Sequence, residues 1–142
     1  MTDKPQTDGA ALASVMISLL NNWGVEDKDK ITLLGLPKET RARSLQRYHH
    51  GTPLPDDEDI YTRVEHLLGI EQSLGLANPL NERAGVLWLY RRNRRFQGRT
   101  PIALMIEEGL AGIVRVRREI DCSFDWYLDE QQSQPVKAKP KV

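Results

Sequence analysis

The stretch that most constrains this chain runs from Trp88 to Asp121, WLYRRNRRFQGRTPIALMIEEGLAGIVRVRREID. Trp88 and Leu89 close an apolar helix, and Asn93 to Gly98 then breaks it. Thr100-Pro101 starts a new helix, because Thr can cap the free amides and Pro at the first helical position gives up no needed hydrogen bond. Ile102, Met105 and Ile106 form its buried stripe, and Gly109 separates it from a last helix. That helix should bury Ile113, Val116, Ile120 and Phe124, with Arg115–Glu119 and Arg117–Asp121 as i, i+4 pairs on its outer side.

The rest of the chain is also helical in pattern. Leu12, Val15, Met16, Leu19, Leu20 and Trp23 recur at helical spacing, and Gly24 stops that helix. Asp27 is a candidate cap for a short second helix carrying Ile31, Leu33 and Leu34, with Val25 positioned to staple onto Ile31. Gly35 ends it, and a third helix is expected from about Lys38 to His50, with Ala42, Leu45 and Tyr48 as a narrow apolar stripe. Gly51 to Pro55 reads as a linker. Asp56 to Asp59 then supplies acids to the first turn of a helix whose inner face is Ile60, Val64, Leu67, Leu68 and Leu74, with His66 off that face. Asn78-Pro79 is expected to start the next helix, with Leu80, Ala84, Leu87 and Trp88 inward, Val86 and Leu89 widening that face, and Tyr90 at the margin. No sustained period-two alternation and no Asn-Gly or Asp-Gly hairpin signal occurs. The expectation is an all-α protein of about seven short helices. Its parts would be disordered residues 1–9, a helix-turn-helix-like lobe over 10–55, a C-terminal helical domain over 56–128 and a disordered tail over 129–142.

Composition narrows the function. Lys and Arg number 20 and balance 20 Asp and Glu, so overall charge does not mark a nucleic-acid binder. The basic clusters Lys38–Arg47 and Arg91–Arg99 could still form local cationic faces. No apolar run is long enough to span a membrane, and no signal-peptide layout opens the chain. A lone Cys122 cannot make an internal disulfide, which fits a reducing cytoplasm, and we expect it to be a buried, inert thiol. There is no Gly-rich phosphate loop, no HExxH and no Gly-x-Ser-x-Gly elbow, so we expect no enzyme activity, no cofactor and no metal.

Two surfaces remain as candidates. Helix, Gly-containing turn, helix over residues 27–50 outlines a helix-turn-helix that would present Lys38, Arg41, Arg43 and Arg47 to phosphates. Arg41 stands where such motifs commonly place an apolar residue, so a lobe that only packs or dimerises is an equal reading. The second surface is the turn Arg91 to Arg99, with five arginines beside Tyr90 and Phe96. It could be a solvated loop, a nucleic-acid contact, or a docking element for an acidic or phosphate-bearing partner. Asn93 and Gly98 are the residues expected to allow its left-handed backbone angles.

From about residue 19 to 125 the chain resembles the MbcA/ParS/Xre antitoxin family. Arg63-Val64-Glu65-His66-Leu67-Leu68-Gly69-Ile70 is similar to the family's Arg-x-x-x-Leu-Leu-Gly-Ile helix. Asn78-Pro79, Trp88, Asn93, Phe96, Gly98, Arg99, Pro101, Gly109 and Arg117-Arg118 follow in the family's order. Leu33-Leu34-Gly35 resembles its N-terminal turn, after which the helix departs from the pattern. The resemblance implies an antitoxin whose C-terminal domain binds a toxin with a RES domain, an NAD-degrading or ADP-ribosylating enzyme, and occludes its NAD pocket. It also implies an N-terminal lobe that dimerises and binds operator DNA. The toxin-binding residues it points to are Asn93, Arg95, Arg99, Arg117, Arg118 and Asp121, with Trp88, Phe96, Gly98 and Pro101 holding the turn's shape. Two alternatives stay open: a stand-alone DNA-binding regulator without a toxin, and an adaptor that binds only protein.

Overall fold

A computed structural model describes residues 3–132, with side chains from 9 to 122 apart from Glu82. Seven α-helices follow in order: α1 (Asp3–Asn22), α2 (Asp27–Leu34), α3 (Ala42–His49), α4 (Glu58–Ala77), α5 (Glu82–Leu89), α6 (Pro101–Glu108) and α7 (Leu110–Gln132), with a 3-10 turn at Arg94–Phe96. The all-α expectation is met. Among the described residues the one extended pairing is a single bridge between Asn93 and Arg99.

The long α4 is the centre of the fold. Its buried face, Ile60, Val64, Leu67, Ile70 and Leu74, packs most extensively against α7, and α1, α2 and α5 also lie on it. α6 lies along α7, and α3 packs chiefly on α1. Met16, Leu20 and Trp23 of α1, Leu33 and Leu34 of α2 and Ile113 and Val116 of α7 belong to one continuous core that spans both lobes. Each such side chain contributes roughly 1.5–3 kcal/mol by leaving water.

Close approach of α6 and α7 depends on Gly112. A Cβ there would stand 2.4 Å from the Leu104 carbonyl oxygen, a backbone atom that cannot step aside. Gly69 of α4 serves a different contact, since the Arg117 guanidinium of α7 lies directly over it, 2.4 Å from where a Cβ would be. That guanidinium also reaches the Glu65 carbonyl and His66 Nδ1, the latter at 3.1 Å. Arg63 is the counterpart between α4 and α2. It pairs with Asp59 at 2.9 Å, donates to the Thr32 carbonyl at the end of α2, and packs over Gly35, whose φ of 76° suits only glycine without strain.

The structure moves several elements from their expected places. α3 begins at Ala42 rather than near Lys38, because Pro37 to Thr40 closes its own turn through Thr40 N–H to the Pro37 carbonyl at 2.9 Å. Asn78 ends α4 instead of starting α5: its side-chain amide donates to the Leu74 carbonyl, and Asn81 caps α5 by accepting from the Arg83 N–H. Of the expected inward face of α5, Leu89 is in the core and Val86 and Trp88 pack against it, whereas Leu80 and Leu87 are exposed. Val15 of α1 is exposed, with Ala13 and Ile17 taking its expected place in the core. Asp27 is the first residue of α2 rather than its cap, which is Glu26, and it pairs with the buried Lys30 at 2.9 Å. The Gly51–Pro55 segment is packed, with Leu54 buried.

Helical backbone extends beyond the expected limits at both ends, from Asp3 in α1 and to Gln132 in α7. The amphipathic pattern ends near Leu12 and Phe124, but a formed helix continues into polar sequence by adding one hydrogen bond per residue. Residues 1–2 and the tail beyond Gln132 lie outside the described residues, as do the side chains of Phe124, Trp126 and Tyr127.

Gly112→Ala should lower the urea midpoint by the equivalent of about 1–3 kcal/mol, because backbone must move. Gly75→Ala, where a Cβ meets nothing within 4 Å, should raise stability by about 0.5–1 kcal/mol through helix propensity.

Candidate functional site: the basic turn between α5 and α6

The turn from Tyr90 to Thr100 is built around one buried ring. α5 ends at Leu89, which is buried, and Trp88 packs partly against the core. Asn93 caps the 3-10 turn, its side-chain oxygen accepting from the Arg95 N–H at 2.9 Å. Its backbone closes the loop twice, Asn93 N–H to the Arg99 carbonyl and Gly98 N–H to the Asn93 carbonyl. Phe96 drops into the core and is 1% exposed. The left-handed residues are Gln97 (φ 56°) and Gly98 (φ 81°), whereas Asn93 is extended and acts through its side chain. Thr100 caps α6 as expected, its hydroxyl oxygen accepting from the Ala103 N–H at 3.1 Å, with Pro101 at the first position.

α7 holds the turn from outside. The Arg115 guanidinium sits over the Phe96 ring at 5.4 Å and donates to the Arg95 carbonyl and Gln97 Oε1. Arg95 faces Glu119 at 3.6 Å. Arg99 is gripped by Glu107 and, at 2.9 Å, by Glu108 at the end of α6. Donating hydrogen bonds to Glu108, then to Glu107, holds its guanidinium above the ordinary arginine value. Arg91, Arg92 and Arg94 are exposed and in no ion pair among the described residues.

The expected toxin-binding residues therefore do not form one patch. Asn93, Arg95 and Arg99 meet in the turn, all committed to internal contacts. Arg117 and Asp121 pair at 3.7 Å on the opposite flank of α7, where Asp121 also accepts from the Ser73 hydroxyl. Arg118 lies exposed between the two flanks, in no ion pair among the described residues. Sequence reasoning missed Arg115 as the clamp of the turn, and missed Glu107 and Glu108 as partners of Arg99. The only signal was their charge opposite a five-arginine cluster, and helical i, i+4 pairing does not reach across a turn.

Elsewhere, Cys122 is exposed rather than buried. It stands about 200° around α7 from the buried Ile120, on the solvent side. Lys38, Arg41, Arg43 and Arg47 are all exposed, but Lys38 and Arg41 precede α3 instead of riding on it. A groove of about 330 Å³ opens among α1, α4 and α5, and the carboxylate there, Glu71, accepts from Trp23 Nε1 at 2.8 Å. Tyr90 donates to the Trp23 carbonyl at 2.7 Å, and burial, then the charge of Asp29, pushes its phenol above the ordinary value. Among the described residues no group of His, Cys, Asp and Glu gathers as a metal site, and no helix is long and apolar enough to cross a membrane.

Residues 78–122, which contain α5, the turn, α6 and the first half of α7, match the family described as the antitoxin Xre/MbcA/ParS C-terminal toxin-binding domain. This segment is thus similar to the toxin-binding part of antitoxins, and the match supports an antitoxin role with a toxin as partner. Along more of its length the chain is similar to the uncharacterized protein y4oB of Sinorhizobium fredii (strain NBRC 101917 / NGR234). The two are 28% identical over 120 residues, covering 82% of this chain and 89% of that protein.

Phe96→Ala should cost about 3–5 kcal/mol in chemical denaturation, since it empties the centre of the turn and removes the ring under Arg115. A loss below about 1 kcal/mol would show that the ring does not hold the turn.

Proposed function

We propose that the protein is the antitoxin of a toxin–antitoxin pair, acting in the cytoplasm, and that its C-terminal helices neutralise a RES-domain toxin by covering its NAD pocket. The observation that carries this reading is the coincidence of the toxin-binding domain match with the turn that concentrates exposed cations. Cleavage of NAD at the nicotinamide–ribose bond develops positive charge on the ribose, so an enzyme that performs it needs an anionic group there. A guanidinium has the wrong sign to imitate the pyrophosphate, but it can pair with that carboxylate and close the entrance. Arg94 and Arg118 are available for this, while Asn93, Arg95, Arg99, Arg117 and Asp121 keep the surface in shape.

Co-expression of the chain with a RES-domain toxin tests this. Growth should be restored and the two proteins should co-purify. The Arg94→Glu, Arg118→Glu double variant should neutralise at least tenfold less well at equal expression. Failure of the wild-type chain to rescue growth would contradict the antitoxin reading. Full rescue by the double variant would contradict the assigned cations.

A second reading, operator binding by a homodimer, is favoured by the exposure of Lys38, Arg41, Arg43 and Arg47, none of which has an ion-pair partner among the described residues. Three or four phosphate contacts predict affinity for promoter DNA that falls roughly 40- to 150-fold between 50 and 200 mM salt. Light scattering should give about twice the 16.2 kDa chain mass. A monomer, or DNA binding indifferent to salt, would contradict it.

A further inference from the structure

The outer face of α5 has a composition that the fold does not explain. Leu80 is 98% exposed and Leu87 53%. Leu80 precedes the cap Asn81, the position from which an apolar side chain usually staples onto the fourth helical residue. Here that residue is Gly85, which offers no side chain to staple onto, and a Cβ there would crowd Leu74 Cβ at 3.1 Å. Leu80 therefore has no partner within its own helix. Leu87, within α5, follows seven residues on, and the exposed Arg91 lies just past the end of that helix. The face thus runs from apolar to cationic, and the unpaired Arg91 and Arg94 mark its end at the basic turn.

Single exposed leucines are ordinary on protein surfaces. Two exposed leucines at the start and on the outer side of α5, one deprived of its staple, with Arg91 and Arg94 exposed beyond them and in no ion pair among the described residues, make a strip that runs from apolar to cationic. The whole strip lies inside the segment matched as toxin-binding.

We infer that this face of α5 is the docking ridge for the toxin. Its complement is an apolar groove on the toxin that takes Leu80 and Leu87 and ends in carboxylates facing Arg91 and Arg94. The inference rests on the antitoxin reading and adds to it where the apolar contact lies. The arginines give orientation and association rate, and the leucines, once desolvated, give the slow dissociation.

The test measures binding of a purified RES-domain toxin to the full chain and to three variants, with the free-chain mass and thermal melt recorded in parallel. The wild-type chain must bind first; if it does not, the antitoxin reading fails and this one with it. Leu80→Glu with Leu87→Glu should then weaken binding at least tenfold, mainly through faster dissociation, with an unchanged melt. Arg91→Glu with Arg94→Glu should slow association and flatten its salt dependence. Val15→Glu, an equally exposed site on α1, should bind within twofold of wild type. Wild-type-like binding by the leucine variant overturns the inference. So does a change confined to the free-chain mass, which would assign the face to a second copy of the chain.

Discussion

The contact between α4 and α7 sets the position of everything the C-terminal segment presents. It joins an apolar seam, Val64, Leu67 and Ile70 against Ile113, Val116 and Ile120, to one polar contact, the Arg117 guanidinium lying over Gly69. A larger residue at position 69 would meet the end of a flexible side chain, so that contact can yield, whereas Gly112 faces backbone and cannot. The rigid side of α7 is thus its junction with α6. From there Arg115 reaches back over Phe96 and fixes the basic turn from outside.

Arginines in this region serve two opposed ends. Arg63, Arg95, Arg99, Arg115 and Arg117 are bound to carboxylates, carbonyls or a ring and shape the fold. Arg91, Arg92, Arg94 and Arg118 remain exposed. A cluster that looks uniform in sequence is therefore divided by the positions of Glu107, Glu108 and Glu119. Because exposed ion pairs are individually weak, the division works more through geometry than through stability. It decides which cations are already satisfied and which still seek an anion.

Much of this was legible in the sequence. Thr100-Pro101, Gly35, Gly109 and the stripes of α4 and α7 are local signals, and the helices they predict are present. The errors came where two local signals competed. Asn78-Pro79-Leu80-Asn81 offers two possible caps, and Asn78 finishes α4 by bonding back to the Leu74 carbonyl while Asn81 starts α5. That three-residue displacement leaves Leu80 outside α5 and exposed. Pro37-Lys38-Glu39-Thr40 reads as a helix start but closes as a turn, taking Lys38 and Arg41 off α3. Of the candidate site, the residue types of the turn could be read, but not which arginine meets which acid. Those contacts are 8 to 24 residues apart in sequence and depend on how α6 and α7 return to the turn.

The central claim is that the segment from α5 to the basic turn, with Arg118 of α7 beside it, meets the toxin on a frame set by α4 and α7. Hydrogen exchange of the full chain, alone and with a RES-domain toxin, tests it most directly. The account predicts slower exchange of the amides from about residue 90 to 99 in the complex, with α2 and α3 unchanged. Protection confined to α2 and α3, with the basic turn exchanging as in the free chain, would contradict it.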